Sequence, residues 1–293
     1  MSKLIIGCGY LGMRIAKTWI ENGHDVFALT RLPANAHNFR SHKLQPIIGD
    51  VTEIDSLHAL TQLPTVRTVL YAVGYDAAAG RSKREVYVTG LDNVLKSIHV
   101  PLEHFIYVSS TSVYGQTDGE WVDESSTCQP TRFNGRICLE AECSVWQKFS
   151  TGVIDSAGNA NVLRLAGIYG PGRLLSRIES LQTRKVLRGN PNAWLNLIHV
   201  DDAAAAVLAC EDRGRPGATY LVCDDRPLRR REYYETLASF VGAPVPTFSD
   251  PELSDENNFN KRCCNKKLRD ELHMKLKHPT ITNGLQDALR NVQ

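Results

Sequence analysis

The stretch that decides the fold is Gly7-Cys8-Gly9-Tyr10-Leu11-Gly12, which follows the apolar run Leu4-Ile5-Ile6 and precedes an amphipathic segment. A G-x-G-x-x-G spacing between a strand and a helix is typical of a loop that holds a dinucleotide pyrophosphate. Gly7 permits the tight turn, Gly9 lets the backbone approach the phosphates, and Gly12 lets the helix pack near the strand. The start of the helix then offers N–H groups to the phosphates. We predict that all six residues contact the cofactor; the alternative is a plain glycine-rich turn.

Apolar segments of strand length alternate with amphipathic segments of helix length over the first two thirds of the chain. The predicted strands are 3–7, 25–29, 44–48, 68–73, 104–109 and 161–165, and the predicted helices are 11–22, 54–62, 83–98 and 135–149. Nearly continuous apolar strands indicate a parallel sheet that is covered on both faces. The alternation therefore predicts an α/β fold with a Rossmann-type doubly wound parallel sheet.

The pattern loosens after about residue 165. We predict a strand at 194–200, a helix at 202–211, a strand at 218–223 and a last helix at 283–291. The predicted NAD(P)-binding Rossmann domain comprises residues 1–165 plus about 196–225. A small, mostly helical C-terminal subdomain on the substrate side would comprise about 166–195 plus 226–293.

Composition limits the class of protein. Of the 293 residues, 42% are hydrophobic and 23% are charged, and the formal net charge is only +2. Such a balance is ordinary for a globular protein and gives no reason to expect nucleic acid as a partner. No segment approaches the ~18 apolar residues of a membrane span, and the N-terminal apolar run is too short for a signal peptide. The eight cysteines form no Cys-x-x-Cys pair, so we expect reduced thiols, no bound metal and a cytoplasmic location.

The end of the second predicted strand bears on the choice between NAD and NADP. A carboxylate there would bind the ribose 2′-hydroxyl of NAD and repel a 2′-phosphate. This strand instead runs into Thr30-Arg31, and a guanidinium beside a hydroxyl suits a 2′-phosphate. We therefore predict NADP as the cofactor, with NAD as the alternative if Arg31 is an ordinary surface arginine.

Two further strand ends are predicted to line the same crevice, because the carboxyl ends of parallel strands share one edge of the sheet. Asp50-Val51 follow the third strand, where Asp50 would accept a hydrogen bond from the adenine amino group or cap the next helix. Ala72-Val73-Gly74 end the fourth strand and would line the ribose and the pyrophosphate.

Four more segments carry a resemblance to a known family: 105–115 (FIYVSSTSVYG), 163–172 (LRLAGIYGPG), 196–202 (NLIHVDD) and 219–225 (TYLVCDD). In this order and spacing the chain resembles the extended short-chain dehydrogenases/reductases of the NAD-dependent epimerase/dehydratase kind, from residue 3 to about 225. The resemblance implies that Ser109 and Ile168 lie on the nicotinamide side of the cofactor. It also implies homodimers, by analogy alone.

The resemblance further implies a catalytic group of serine or threonine, tyrosine and lysine. Ser110 takes the serine place, with Thr111 as the close alternative, although Ser110 at a strand end would also suit a bond to the backbone. None of the ten tyrosines is followed by a lysine four residues later. The chain thus resembles an atypical branch of the family that lacks the Tyr-x-x-x-Lys pair.

Residues 130–142 form the helix that should hold this pair. Asn134 falls at the tyrosine place and Cys138 at the lysine place, and a shift by one residue gives Phe133 and Ile137 instead. Asparagine cannot titrate, so neither the tyrosine nor the lysine role is carried over. The candidate catalytic residues are Ser110, Thr111 and Asn134, with Tyr114 and Cys138 as possible substitutes.

The substrate side is less well marked. Arg173, beside the Gly-Pro-Gly turn, is the candidate for binding a phosphate of the substrate, and the alternative is an ordinary surface charge. Trp121 and Trp194 would stack on a ring or pack in the core. For His199 and Asp201 we favour a structural histidine and a helix N-cap over a catalytic pair.

Two hypotheses of different class follow. The first is an NADP-dependent oxidoreductase, epimerase or dehydratase that acts on a small, phosphorylated or nucleotide-linked substrate. The second is a catalytically silent redox sensor, which binds NADP(H) and regulates a partner without turning over a substrate.

Overall fold

The computed structural model describes residues 1–98, 102–150, 160–249 and 259–290. The chain forms two compact units, and each is described below by itself. Unit 1 comprises Met1–Val113, Pro130–Arg164 and Ala204–Tyr220, and unit 2 comprises Tyr114–Gln129, Leu165–Ala203 and Leu221–Gln293. The predicted domain division differs in keeping 114–129, 196–203 and 221–225 with the Rossmann domain. It stays a prediction, because a grouping by contacts does not test which segments fold together.

The strands of the described residues are β1 (Ser2–Ile6), β2 (Asp25–Thr30), β3 (Gln45–Ile48), β4 (Val66–Tyr71), β5 (His104–Ser110), β6 (Trp121–Val122), β7 (Ala160–Leu165), β8 (Gly167–Tyr169), β9 (Trp194–Leu195), β10 (Leu197–His199), β11 (Thr219–Val222), β12 (Leu228–Arg229) and β13 (Arg262–Cys263). The α-helices are α1 (Gly12–Glu21), α2 (Ala34–Ser41), α3 (His58–Thr61), α4 (Gly90–Ser97), α5 (Phe133–Ser150), α6 (Leu175–Gln182), α7 (Val200–Arg213), α8 (Arg230–Val241), α9 (Lys266–Glu271) and α10 (Ile281–Ala288).

Seven strands form one sheet in the order β11-β7-β5-β4-β1-β2-β3. The pairs β1–β2, β1–β4, β2–β3 and β4–β5 are parallel. Ile6 at the end of β1 lies opposite Leu29 in β2 and Tyr71 in β4. The predicted Rossmann-type doubly wound sheet is thus confirmed. The ends of β1, β2 and β4 share one edge, at the point where the strand order reverses and such sheets bind their ligands.

Both faces of the sheet are buried in unit 1. Leu4, Ile5 and Ile6 are fully buried, although successive side chains of a strand point to opposite faces. Leu4 and Ile6 belong to the same apolar cluster as Val145 of α5. Ile5 faces α1, where its Cγ2 lies 3.2 Å from the Cβ position of Gly12. This two-sided cover explains why the strands are nearly continuous in apolar residues.

Two predicted helices of unit 1 are irregular. The helix predicted at 54–62 begins as a 3₁₀ turn, Ile54–Leu57, before α3. The helix predicted at 83–98 begins with a π-helical turn, Glu85–Thr89, before α4. A π turn inserts an extra residue into a helix and is frequently found at functional sites.

The single strand predicted at 194–200 is wrong, because Asn196 divides it into β9 and β10. The Asn196 Nδ2 donates to the Lys261 carbonyl oxygen at 2.9 Å, and its Oδ1 accepts from the Cys263 N–H at 2.7 Å. With these side-chain bonds at the break, β9 pairs antiparallel with β12 and β10 pairs parallel with β8.

The starts of two helices in unit 2 differ from the prediction. Asp201 lies inside the first turn of α7 and is not its cap. His199 takes that role, because its Nδ1 accepts from the Asp201 N–H at 3.2 Å. Helix α10 begins at Ile281, after Thr280 as the N-cap, and position 291 of the predicted last helix lies outside the described residues.

Candidate cofactor and active site

The glycine loop of unit 1 is held against the end of β4. Gly7 has a φ of +95°, a conformation that suits only glycine, and a Cβ there would lie 2.5 Å from the Ala72 carbonyl carbon and 2.6 Å from the Val73 nitrogen. A Cβ on Gly12 would lie 2.8 Å from the Gly7 carbonyl oxygen. Two of the three glycines are therefore required by close backbone contacts, and these contacts bring Ala72 and Val73 beside the loop.

The remaining glycine leaves the approach to the loop clear. A Cβ on Gly9 would meet no atom of the described chain within 4 Å, and the same holds for Gly74 after β4. The Gly9 carbonyl oxygen accepts the Met13 N–H at 2.9 Å, so the loop leads directly into α1. A backbone surface without side chains at the start of a helix fits the pyrophosphate of a dinucleotide.

The side chains between the glycines pack rather than react. Cys8 is buried, with its Sγ 3.3 Å from the Met13 Sδ, and burial raises the pKa of the Cys8 thiol to about 12. Leu11 is also buried. The guanidinium of Arg14 lies 4.4 Å from the Tyr10 ring centre. Cys8 and Leu11 can therefore offer a cofactor their backbone, and not a thiolate or a polar side chain.

The residues proposed for the 2′-phosphate already have partners. The Thr30 hydroxyl accepts from the Leu32 N–H at 3.2 Å and from the Asn35 Nδ2 at 3.1 Å, so it fixes the start of α2. Arg31 forms a partly exposed ion pair with Asp76, which follows β4. Sequence reasoning missed Asp76, because nothing in its neighbourhood marks it as a partner of a residue 45 positions earlier. A phosphate would have to compete with this carboxylate for Arg31.

Asp50 and Val51 make hydrogen bonds that stabilise the loop after β3. The Asp50 Oδ1 accepts from the Thr52 N–H at 2.9 Å and from the Thr52 hydroxyl at 2.8 Å. Asp50 makes no side-chain cap for the helical turn that starts at Ile54. Val51 is buried, and its carbonyl oxygen accepts from the Asn93 Nδ2 at 2.9 Å. A hydrogen bond from adenine to Asp50 stays a prediction.

The turn at the end of β5, residues 109–112, is called the serine turn here. A buried ion pair between Glu142 and Arg164 contacts its first residue, Ser109. The Ser109 hydroxyl donates to the Glu142 Oε1 at 2.5 Å, and Arg164 holds the same carboxylate through its Nε and Nη2 at 2.7–3.2 Å. Glu142 is 1% exposed and Arg164 is 7% exposed. Next along the chain, the Ser110 Oγ accepts from the Ser112 N–H at 3.1 Å, and Thr111 opens a 3₁₀ turn.

The segment Asn134-Gly135 at the start of α5 packs directly on this turn. A Cβ on Gly135 would lie 2.3 Å from the Ser112 carbonyl oxygen and 2.7 Å from the Pro130 Cβ. Glycine is therefore needed for this close approach. One turn further along α5, the Cys138 Sγ accepts from the Ser112 hydroxyl at 3.6 Å. The helix thus places Cys138, which falls at the lysine place of the family pattern, beside the serine turn.

A lysine from another element reaches Asn134. The Lys83 Nζ donates to the Asn134 Oδ1 at 2.9 Å and lies 5.1 Å from the centre of the Tyr75 ring. Lys83 precedes the π-helical turn, whose Tyr87 hydroxyl accepts from the Tyr75 N–H at 3.0 Å. The site therefore contains an ammonium group and a phenol, although neither comes from α5.

Burial disfavours the ionised forms of the Tyr87 phenol and the Cys138 thiol. It raises the pKa of the Tyr87 phenol, against the opposing effect of the hydrogen bond from Tyr75. It also raises the pKa of the Cys138 thiol, which the bond from Ser112 and the charge of Lys83 lower only in part. Cys138 is therefore a poor nucleophile at neutral pH.

Sequence reasoning missed Lys83, Tyr87 and Ser112. Lys83 is 51 residues away from Asn134 in the chain, and only the packing of α5 against the turn before α4 brings them together. The π-helical turn is a local irregularity that points to this region, and it is visible only in the backbone conformation.

Two predicted site residues, Ile168 and Arg173, belong to unit 2. Ile168 lies in β8, opposite Ile198 of β10. Arg173 is exposed in the turn after β8, where its N–H donates to the Gly170 carbonyl oxygen at 3.1 Å. Trp194 of β9 packs its ring against the Arg229 guanidinium, 3.8 Å from the ring centre.

The glycine loop at the switch point of a parallel sheet, with a serine turn braced beside α5, defines a Rossmann-type protein with a site for a nicotinamide dinucleotide. The model of the NAD dependent epimerase/dehydratase family matches residues 4–223. The match covers most of the chain, and the protein belongs to this family. The predicted resemblance to the family is thereby confirmed, and its atypical branch without the Tyr-x-x-x-Lys pair stays a prediction.

Relatives of known sequence or structure agree with this assignment. Protein YeeZ of Escherichia coli K12 is 26% identical over 269 residues, which are 89% of this chain and 92% of that protein. The human short-chain dehydrogenase/reductase family 42E member 1 is 29% identical over 269 residues, or 82% of this chain and 67% of that protein. A Methylobacillus flagellatus structure, described as an NAD-dependent epimerase/dehydratase, is 31% identical with a TM-score of 0.76, over 98% of this chain and 97% of that chain.

Among the described residues, no helix is both long and apolar enough to cross a bilayer.

Proposed function

We propose that the protein binds NADP(H) in unit 1 and is an oxidoreductase, epimerase or dehydratase that acts on a small, phosphorylated or nucleotide-linked substrate. The observation that carries the proposal is the contact of the Lys83 ammonium with Asn134 at 2.9 Å. Asn134 stands where the family's tyrosine is expected, so Lys83 supplies a positive charge and a proton donor to a site that lacks the usual pair.

The proposed reaction requires a hydride transfer and a proton transfer. When bound, the nicotinamide supplies or accepts a hydride, and a protein group must move a proton at the substrate oxygen. The Lys83 ammonium is suited to this donation, and Asn134 holds it in place. The partly buried Ser110 hydroxyl would donate a hydrogen bond to the same oxygen, since its Oγ uses an acceptor site for the Ser112 N–H.

Turnover is tested with purified protein, NADPH and a panel of carbonyl compounds and nucleotide sugars. We expect Lys83→Ala to lower kcat by about 100-fold, the typical effect of removing a general acid. NADPH affinity, measured by fluorescence, should change much less. Lys83→Arg keeps the charge but is a poor proton donor, so it should bind NADPH as the unaltered protein does and still show the low kcat of Lys83→Ala. Lys96→Ala, an exposed lysine of α4, is the matched control.

The second candidate function is a redox sensor without turnover. It is favoured by the Asn134 carboxamide, which cannot titrate and whose oxygen is already bonded to Lys83. Tight NADPH binding with oxidation at background across the whole panel would support the sensor and contradict the enzyme.

Cofactor preference is tested with a pair of variants that act in opposite directions. We expect Arg31→Ala to lower the ratio of NADP to NAD affinity by about 10- to 100-fold, because a charge-assisted contact with the 2′-phosphate is lost. Asp76→Asn should raise that ratio, because it releases Arg31 and removes a negative charge. Both affinities are measured by isothermal titration calorimetry.

Arg40→Ala is the control for this pair, since Arg40 is an exposed arginine near the end of α2. It should leave the ratio unchanged. A preference for NAD in the unaltered protein, with no response to Arg31→Ala, would contradict the NADP proposal and leave the dinucleotide site itself intact.

Arg173 is proposed as the residue that binds the substrate's phosphate, because it is exposed beside a turn with two glycines in left-handed or extended conformations, Gly170 and Gly172. We expect Arg173→Ala to raise KM for the substrate about tenfold, with kcat almost unchanged. An equal fall in kcat would instead place Arg173 in the chemical step.

A further inference from the structure

Four side chains that commonly bind metals come together in unit 2. They are His199 at the end of β10, Asp201 in the first turn of α7, His278 before α10 and Asp287 within α10. One nitrogen or oxygen from each lies within 4.8 Å of those from the other three. The chain positions span almost ninety residues, so no sequence pattern joins them, and composition alone led us to expect no metal.

Two buried nitrogens of this cluster lack partners. The Nε2 atoms of His199 and His278 have no hydrogen bond within the described part of the chain. His199 is fully buried and His278 is 6% exposed, and their ring centres are 3.9 Å apart. A buried polar atom that makes no hydrogen bond is costly, and in native proteins it calls for an unseen partner such as a water or an ion.

The two histidines are not equivalent. The His199 Nδ1 accepts from the Asp201 N–H, so in the neutral ring the proton is on Nε2. That Nε2 lies 3.4 Å from the Asp287 Oδ2 but makes no hydrogen bond to it, and a small shift of the carboxylate on cation binding would let the N–H orient it. The His278 Nε2 has no such constraint from the backbone of α7, and it is free to present a lone pair.

The backbone that carries His278 is firmly held. The Asp202 carboxylate is buried and accepts from the Lys277 N–H at 2.7 Å and from the His278 N–H at 2.8 Å. A fixed backbone beneath a ligating side chain is what a preorganised metal site requires.

Exposed cationic side chains lie near both carboxylates. The Lys277 Nζ lies 3.8 Å from the Asp201 Oδ2, and the Arg290 Nη1 lies 3.5 Å from the Asp287 Oδ1. The side chains of Lys277 and Arg290 are 67% and 75% exposed, so such pairs are weak and easily exchanged.

We propose that His278, Asp287 and Asp201 form a binding site for a divalent cation of the Zn²⁺ class, in which His199 is a positioning residue that orients Asp287. One imidazole and two carboxylates are a suitable set for Zn²⁺ or Co²⁺, with a water in the remaining position. Bonds of about 2.0–2.2 Å require the ligand atoms to draw together by roughly an ångström. The site is independent of the proposed cofactor function.

The experiment uses Co²⁺ as the probe and the full chain. We expect one Co²⁺ to bind per chain with a visible ligand-field spectrum, and Zn²⁺ to displace it. Because the chain has eight free cysteines, the spectrum must lack a thiolate-to-cobalt charge-transfer band. Bound Zn²⁺ should also raise the melting temperature, since it binds the folded state.

Variants assign the ligands. Asp287→Asn is nearly isosteric, so this variant should fold. The single variants Asp287→Asn and His278→Ala should each weaken Co²⁺ binding by more than about 100-fold. His199→Gln should weaken binding by only about 10- to 100-fold, the usual effect of a residue behind the ligands. His58→Ala, on the exposed side of α3, should bind as the unaltered protein does.

Two results would overturn the proposal. One is that the unaltered protein binds no Co²⁺, or binds it only through thiolates. The cluster would then be an internal ion-pair network. The other is an unchanged Co²⁺ affinity in a folded Asp287→Asn variant.

Discussion

Replacing Glu142 with alanine is expected to lower the free energy of unfolding by about 3–5 kcal/mol, because it leaves a buried guanidinium without its carboxylate. Glu142 is 1% exposed, and Arg164 contacts both of its oxygens, at 2.7–3.2 Å.

The size of the effect comes from the buried guanidinium that loses its carboxylate and not from the pair itself. A buried ion pair gains little over an apolar pair of similar volume, since both charges lose their hydration. The double variant Glu142→Met with Arg164→Met should therefore recover most of the lost stability. Urea unfolding, followed by circular dichroism, measures the free energy for both variants.

The matched control is Glu140→Ala, two residues earlier on α5. Glu140 forms an exposed ion pair with Arg84, so its loss should change the unfolding midpoint far less. A single Glu142→Ala variant as stable as the unaltered chain would show that the ion pair does not brace the serine turn. Since Ser109 also donates to Glu142, we expect the variant to bind NADPH more weakly.

The second large effect concerns Asp224 of unit 2. Asp224 is 1% exposed, and its Oδ2 has no hydrogen-bond partner within the described residues. Burial raises the pKa of this carboxyl from 3.8 to about 8, and the charges of Asp225 and Asp202 act in the same direction. The hydrogen bond from the Arg226 N–H opposes the rise only in part.

The direction of the pH dependence follows from proton binding. Between the unfolded pKa of 3.8 and the folded pKa of about 8, the folded chain holds a proton that the unfolded chain has released. Stability is therefore fullest below the unfolded pKa and is lost as the pH rises through this window. The loss is at most about 1.4 kcal/mol per pH unit, and it ends above the folded pKa.

Asp224→Asn keeps the neutral form at every pH, so this loss should disappear. We expect the variant to match the unaltered protein at about pH 4 and to be more stable by a few kcal/mol at about pH 8. Thermal and urea unfolding at both pH values measure the difference. Asp212→Asn, at a side chain that is 69% exposed, should show no such dependence. Equal stability of Asp224→Asn and the unaltered protein at about pH 8 would contradict the raised pKa.

The fold could be predicted well because the glycine loop and the apolar strands are each encoded by a few adjacent residues. The positive φ of Gly7 and the close contact of Gly12 are demands of a single strand–turn–helix unit, and six residues of sequence are enough to express them. The apolar runs of β1 and its neighbours follow from burial on both faces, which each strand records separately.

Boundaries and caps were predicted less well, since they depend on which particular side chain reaches the backbone. The break at Asn196 is fixed by bonds to Lys261 and Cys263, more than sixty residues away. His199 caps α7 in place of Asp201 because a buried imidazole can accept as well as a carboxylate. The local pattern of apolar and polar residues shows neither the partners of Asn196 nor the capping role of His199.

The sequence by itself determined that this chain has a dinucleotide-binding Rossmann sheet and that no tyrosine is followed by the expected lysine. Only the tertiary structure showed which contacts the start of α5 makes: Lys83 donates to Asn134, and Gly135 packs against Ser112. It alone also paired Arg31 with Asp76 and gathered the histidines of unit 2. The physical reason is that periodicity and turn chemistry act over a few residues, whereas side-chain contacts depend on how distant elements pack together.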